Sequence, residues 1–258
     1  MNTTFRSLLV LSVMAATSAS ASWRPKYRVV KIERSRILID RKYDAYPDAR
    51  AAAFIMPYKS EVDREMSPVV GTTAHPMVSH RPESDLSNLL SDILVWAGGV
   101  YHETPDFGIY NVGGIRASLP SGTVTYGDVL NVAPFENHIC FLTLSGDKVL
   151  QLFREIAARG GEGVSHSVKM VITGGHQLKT VTINGEPVDP QKSYRVVTLD
   201  YLSQGNDGMS AFKAKTSVVS PTENTDNVRY IIVDYFKKLM AEGKAVDAKV
   251  EGRITVGE

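Results

Sequence analysis

Apolar residues recur at helical spacing across residues 84–96, where Leu86, Leu89, Leu90, Ile93 and Leu94 follow Ser84 and Asp85, either of which can cap the predicted helix. Its apolar face needs a sheet to pack on. Residues 51–66 predict another helix: Ala53, Met56 and Val62 carry the spacing, Pro57 breaks it, and Lys59, Glu61, Asp63 and Arg64 form a solvated face. Ser145, Gly146 and Asp147 lead into a helix over 148–158, and an amphipathic helix is predicted within 225–242.

Strand-like runs lie at 69–73, 107–112, 139–144, 168–173, 179–183 and 194–199, with Asn184 and Gly185 placed as a hairpin turn. Residues 123–130 predict a turn and a short helix. Residues 27–40 mix β-branched residues with charges and predict one or two strands, while 43–49 read as a polar link. Strands and helices alternate irregularly, with hairpins among them, which favours an α+β fold over a doubly wound parallel sheet.

The first residues follow a different pattern. Arg6, an apolar stretch over 8–16 and then Ala19, Ser20 and Ala21 have the order of an export signal, so cleavage is expected after Ala21 and the mature protein is expected in the periplasm or outside the cell. The apolar stretch is too short to span a bilayer, and no membrane association is expected after cleavage. Lys and Arg total 29 against 28 Asp and Glu, a net charge of +1, and no run of five or more like charges occurs. This argues against nucleic-acid polymers as partners, and any charged ligand must be met by local groups. The single cysteine, Cys140, has no intramolecular partner and sits in an apolar run, where it reads as a small core residue; a cysteine-type metal site is excluded by count.

Three segments could carry chemistry. Asn111-Val112-Gly113-Gly114-Ile115-Arg116 follows an apolar strand; the glycines permit close backbone approach, and an amide and a guanidinium stand beside them. Phe135 follows Pro134 in a loop, where a held aromatic ring can stack on a planar ligand. In the segment 198–208 a strand ends in a glycine-bracketed loop, in which Asp207 can accept hydrogen bonds from vicinal hydroxyls and Tyr201 supplies a second ring. Each also has a plain reading: a Gly-Gly turn with a surface arginine, a core phenylalanine, and an Asn-Asp-Gly turn or a calcium loop without EF-hand spacing.

In order and spacing, the three segments together resemble the C-terminal domain of 5'-nucleotidases, including ecto-5'-nucleotidase and bacterial UDP-sugar hydrolases. The resemblance runs from about Ala53 to the closing Glu251-Gly252-Arg253-Ile254. It implies a single α+β domain over 51–258, with a mixed sheet and packed helices, preceded by an extension over 22–50 and the signal over 1–21. It also implies a nucleoside clamp in which the base stacks between Phe135 and Tyr201, the second ring usually being Phe in the family. Asn111 and Arg116 fall on the family's amide and arginine ligands, Asp207 on the carboxylate that holds ribose hydroxyls, and Arg81, one position displaced, on a further arginine.

The full enzymes of this family also carry a metallophosphatase domain that holds two divalent metals and activates water. Its signatures, Asp-x-His, Gly-Asp-x-x-Asp and Gly-Asn-His-Glu, are absent from these 258 residues, and no nucleophile and base pair up. No catalytic residue, metal ligand or cofactor is therefore expected in this chain. The resemblance implies a split enzyme, with divalent metals on a separately encoded metallophosphatase partner. The alternative is a stand-alone exported nucleotide- or nucleoside-binding protein.

Overall fold

The computed structural model describes residues 29–45 and 48–257. The export signal, Tyr27 and Arg28 of the expected strands, and Tyr46 and Pro47 of the polar link lie outside the described residues. The chain divides into two compact units, Met1–Ala52 and Ala53–Glu258.

In the first unit the strands expected over 27–40 do not form where described: residues 29–40 have no regular structure, and Val29, Val30, Ile32 and Ile39 are exposed. β-branched composition favours extended backbone, but a ladder needs a partner strand, and none of the described strands pairs with these residues. A single 3₁₀ turn, Arg41–Tyr43, is capped by the Asp40 side chain accepting from Lys42 N.

Helix α1, Ala49–Met66, passes through Pro57 without ending. The interruption read from the sequence therefore amounts to one missing backbone donor. No side chain of α1 is buried, and Lys59–Asp63 and Arg64–Glu61 pairs line it.

The second unit, which takes in most of α1, continues with β1 (Val69–Thr73) and α2 (Asp85–Ala97), whose N-cap is Ser84, bonded reciprocally with Ser87. β2 (Phe107–Tyr110), β3 (Gly122–Thr125), α3 (Tyr126–Val132), β4 (Ile139–Ser145) and α4 (Gly146–Ala158) follow. Then come β5 (Gly163–Val164), β6 (Val168–Thr173), β7 (Leu178–Ile183), β8 (Glu186–Pro187), β9 (Ser193–Leu199), α5 (Asp200–Ser203), β10 (Thr216–Val219), α6 (Val228–Ala241) and β11 (Ile254–Gly257). Asn184 and Gly185 make the β7–β8 hairpin turn as read, both in the left-handed region that such a hairpin requires.

A mixed five-stranded sheet in the order β10-β4-β9-β2-β5 forms the centre, and only β9 and β2 run parallel in it. β11, β6, β7 and β8 form a second sheet, and β1 pairs with β3. The fold is thus α+β. The buried residues of α2, including Leu86, Leu90, Ile93 and Leu94, lie against β2 and β5. The close approach depends on Gly108 in β2, where an added Cβ would come within 2.8 Å of the Ser91 carbonyl. Cys140 is buried on β4, as its apolar run suggested, and burial raises its thiol pKa.

Candidate functional site

One edge of the central sheet gathers the site. β2 and β9 run parallel, with Phe107 opposite Val196, so their C-terminal ends reach the same edge and deliver Asn111 from one and Tyr201 and Asp207 from the other. β4 runs antiparallel to β9, with Ile139 opposite Leu199, so the segment before β4 returns to this edge and brings Phe135. β5 is antiparallel to β2, with Gly163 opposite Tyr110, which sets Glu162 beside the start of the Asn111 loop. Loops at the carboxyl ends of parallel strands are a recurrent place for ligands because the sheet fixes them in space.

Asn111, Gly113, Gly114, Phe135, Asn137, Arg159, Tyr201 and Asp207 line a cavity of about 250 Å³. Four of the six residues singled out in the sequence, Asn111, Phe135, Tyr201 and Asp207, therefore meet in one place. Arg116 does not line it; its Nη1 donates to the Gly113 carbonyl at 3.3 Å in an exposed contact. Arg81 lines a neighbouring cavity instead.

Asp207 is the centre of the polar wall. Its Oδ2 accepts from Asn111 Nδ2 at 2.7 Å and lies 3.9 Å from Arg159 Nη2, and its Oδ1 accepts from the Tyr201 hydroxyl at 3.1 Å. That hydroxyl bond, followed by a smaller desolvation effect, raises the Tyr201 pKa, so the ring stays neutral. Asn206 Nδ2 closes the loop on the Tyr201 carbonyl at 2.8 Å, and Asp207 itself holds a positive φ of 53°. Asn111 Oδ1 is buried without a hydrogen-bond partner among the described residues. Gly114 makes room for that amide: a Cβ there would lie 2.6 Å from Oδ1.

Three residues that shape the site carry no motif. Glu162, with its side chain fully buried, accepts from Val112 N at 2.6 Å and from Arg159 Nε at 2.6 Å, and also pairs with Arg81. It ties the Asn111 loop, the end of α4 and the segment before α2 to one carboxylate. Arg159 loses some basicity to burial but gains more from Glu162 and Asp207, so its pKa is raised and it remains a fixed cation. Arg229, buried on α6, donates to the Ala133 carbonyl at 3.1 Å and the Pro134 carbonyl at 2.8 Å, pinning the loop that presents Phe135. The Arg159-Gly160-Gly161-Glu162 run has the same paired glycines beside polar groups as the Asn111 loop, a signal by which it could have been found; Arg229 looks like an ordinary charge in an amphipathic helix.

The polar wall and the two rings differ in exposure. Phe135 is 50% exposed and Tyr201 38% exposed, so both present faces to solvent while the groups behind them are tied down.

Residues 69–214 match the model of the 5'-nucleotidase C-terminal domain family. The chain belongs to that family. Among the relatives of this 5'-nucleotidase C-terminal domain protein, UshA of Salmonella pullorum is 30% identical over 159 residues, which make up 60% of this chain and 28% of UshA. The trifunctional nucleotide phosphoesterase YfkN of Bacillus subtilis is 29% identical over 249 residues, 88% of this chain and 16% of YfkN. The solved 5'-nucleotidase precursor from Thermus thermophilus superposes with a TM-score of 0.69 at 27% identity, covering 83% of this chain and 44% of that one. The domain thus spans less than half the length of these relatives. Among the described residues there is no cluster of His, Cys, Asp and Glu able to hold a metal ion, and no helix long and apolar enough to cross a membrane.

Proposed function

We propose that this domain recognises the nucleoside part of a nucleotide, holding the base between Phe135 and Tyr201 and the ribose hydroxyls on Asp207, and that a separate exported metallophosphatase with two divalent metals supplies hydrolysis. The observation that carries this reading is the convergence of two half-exposed aromatic rings and a tethered carboxylate on one cavity. A planar base gains dispersion and desolvation from each ring. Asp207 offers acceptor oxygens to vicinal hydroxyls, and the buried Asn111 Oδ1 has capacity for a donor. The polar groups are already oriented by one another, so binding costs little ordering on that side.

On the cavity lining the Tyr201 hydroxyl is tied to Asp207 with its pKa raised, which makes it a poor nucleophile, and the chemistry is assigned to the partner. Arg159 and Asn111 orient, Asp207 accepts, and the rings exclude water from the base faces. Calorimetry with adenosine and AMP on the purified chain is expected to show dissociation constants on the order of micromolar to millimolar. AMP hydrolysis with manganese or zinc is expected only when the partner metallophosphatase is added. Robust hydrolysis by the chain alone overturns the division of labour, and absence of binding to both ligands overturns the clamp. Binding that no exported metallophosphatase converts into hydrolysis marks a stand-alone binding protein.

A further inference from the structure

The β4–β9 pairing ends at Ile139 opposite Leu199, and the two chains that leave it there carry the two rings of the cavity. Phe135 lies three residues before His138, and Tyr201 directly follows Asp200. Asp200 N donates to the His138 carbonyl at 2.9 Å, which is one half of a further antiparallel pair. The other half is missing, because the Asp200 carbonyl has turned into α5 and accepts from the Ser203 hydroxyl at 2.8 Å. The Asp200 side chain takes its place: Oδ1 accepts from His138 N at 3.1 Å and from Tyr201 N at 2.7 Å, so one oxygen holds the backbone of both ring-bearing segments. Its Oδ2 lies 3.7 Å from His138 Nδ1. Each ring is also fastened at its far side. Arg229 grips the Ala133 and Pro134 carbonyls ahead of Phe135, and the Tyr201 hydroxyl is bonded to Asp207. Asp200 itself does not line the cavity.

We infer that Asp200 is the positioning residue of the aromatic pair: by joining the His138 and Tyr201 backbones at one oxygen it sets the gap between Phe135 and Tyr201 and fits the cavity to a planar base. It acts through the rings and not by touching the ligand. A base stacked on two faces gains fully from both only when the gap matches its thickness, since dispersion falls steeply with separation. The placement of the oxygen carries this role, not the charge. An asparagine oxygen at the same position can accept both N–H bonds, whereas glutamate keeps the charge but moves its oxygens one methylene further out. The inference rests on the nucleoside reading of the cavity.

The test is calorimetry of the full chain with adenosine, using wild type, Asp200→Ala, Asp200→Asn, Asp200→Glu, Phe135→Ala and the double variant Asp200→Ala with Phe135→Ala. Asp200→Ala is expected to weaken adenosine about tenfold, and Asp200→Asn to stay within about threefold of wild type. Asp200→Glu is expected to weaken binding nearly as much as alanine, and it carries the same test where Asp200→Ala folds poorly. Once Phe135 is gone there is no gap to set, so Asp200→Ala is expected to cost less than about twofold further in the Phe135→Ala background. A general loss of structure would instead weaken binding equally in both backgrounds, and that result overturns the positioning role. Asp200→Asn binding as poorly as alanine, or Asp200→Glu binding as wild type does, overturns it too. If wild type binds adenosine and Asp200→Ala binds it equally well, the positioning role falls and the nucleoside reading stands. If wild type binds no adenosine, the nucleoside reading fails and this inference falls with it.

Discussion

The two sides of the main cavity are made in different ways. The polar side, Asn111, Asp207, Arg159 and Glu162 behind them, is cross-linked by hydrogen bonds of 2.6–2.7 Å between chain segments 50 to 96 residues apart or across the end of one helix. The aromatic side, Phe135 and Tyr201, is presented on short segments with about half or more than a third of each residue in solvent. Folding stability therefore depends on the first and hardly on the second, whereas ligand binding needs both. Substitutions on the polar side should disturb stability and binding together, and substitutions on the rings should disturb binding alone.

The largest effect is expected at Glu162. Arg81 and Arg159 share its Oε1 while Val112 N uses Oε2. Glu162→Gln places a donor opposite donors on one side or the other and should destabilise the fold by about 2–3 kcal/mol, read as a lower denaturation midpoint, with nucleoside binding weakened as well. Full stability in this variant would break the distinction between the two sides. At Phe135 the expectation is the reverse: Phe135→Ala should weaken adenosine binding by about 1–3 kcal/mol while leaving the folding stability within about 0.5 kcal/mol of wild type. A variant that unfolds early would show the ring to be part of the core.

Tyr201→Phe should have a smaller effect, since it keeps the ring and removes only the hydroxyl bond to Asp207; a loss of affinity of about 1 kcal/mol or less is expected by calorimetry. The same bond raises the Tyr201 pKa above its ordinary value of 10.0. The small stabilisation it gives is accordingly complete below that ordinary value and is lost as pH rises through the higher folded-state value. An ultraviolet difference titration of wild type against Tyr201→Phe should place this ionisation later than that of an exposed tyrosine, and a normal midpoint would remove the direct link between ring and polar wall.

The sequence made Phe135 and Asp207 legible because each lies in a loop where glycine or proline signals an unusual backbone, and Tyr201 because it stands between a strand end and the Asp207 loop, where ligands are met. The paired glycines beside Glu162 mark its loop but not its role, and Arg229 had no signal at all. Their role is to be buried against backbone groups about 50 and 95 residues away, and nothing in local periodicity records a partner at that separation. Helix α2 followed from a cap residue and apolar spacing, and α4 from the Ser145-Gly146-Asp147 lead-in; both bury an apolar face. The stretch 29–40 shows the limit of such inference: its β-branched residues satisfy strand composition, but no described strand pairs with it. Arg116 shows another limit, because motif order places it beside Asn111 while the turn at Gly113 and Gly114 leaves its side chain outside the cavity lining.

The left-handed backbone at Asp207 also restricts what this position can become. Glycine, asparagine and aspartate enter that region with little strain, and of these only aspartate brings a charge. Glutamate keeps the charge but meets the backbone penalty, and asparagine keeps the backbone but gives up one acceptor. In a library of all twenty residues, position 207 should behave as though it had no neighbour in sequence space, since almost every replacement meets the backbone penalty, loses the bonds to Asn111 and Tyr201, or both.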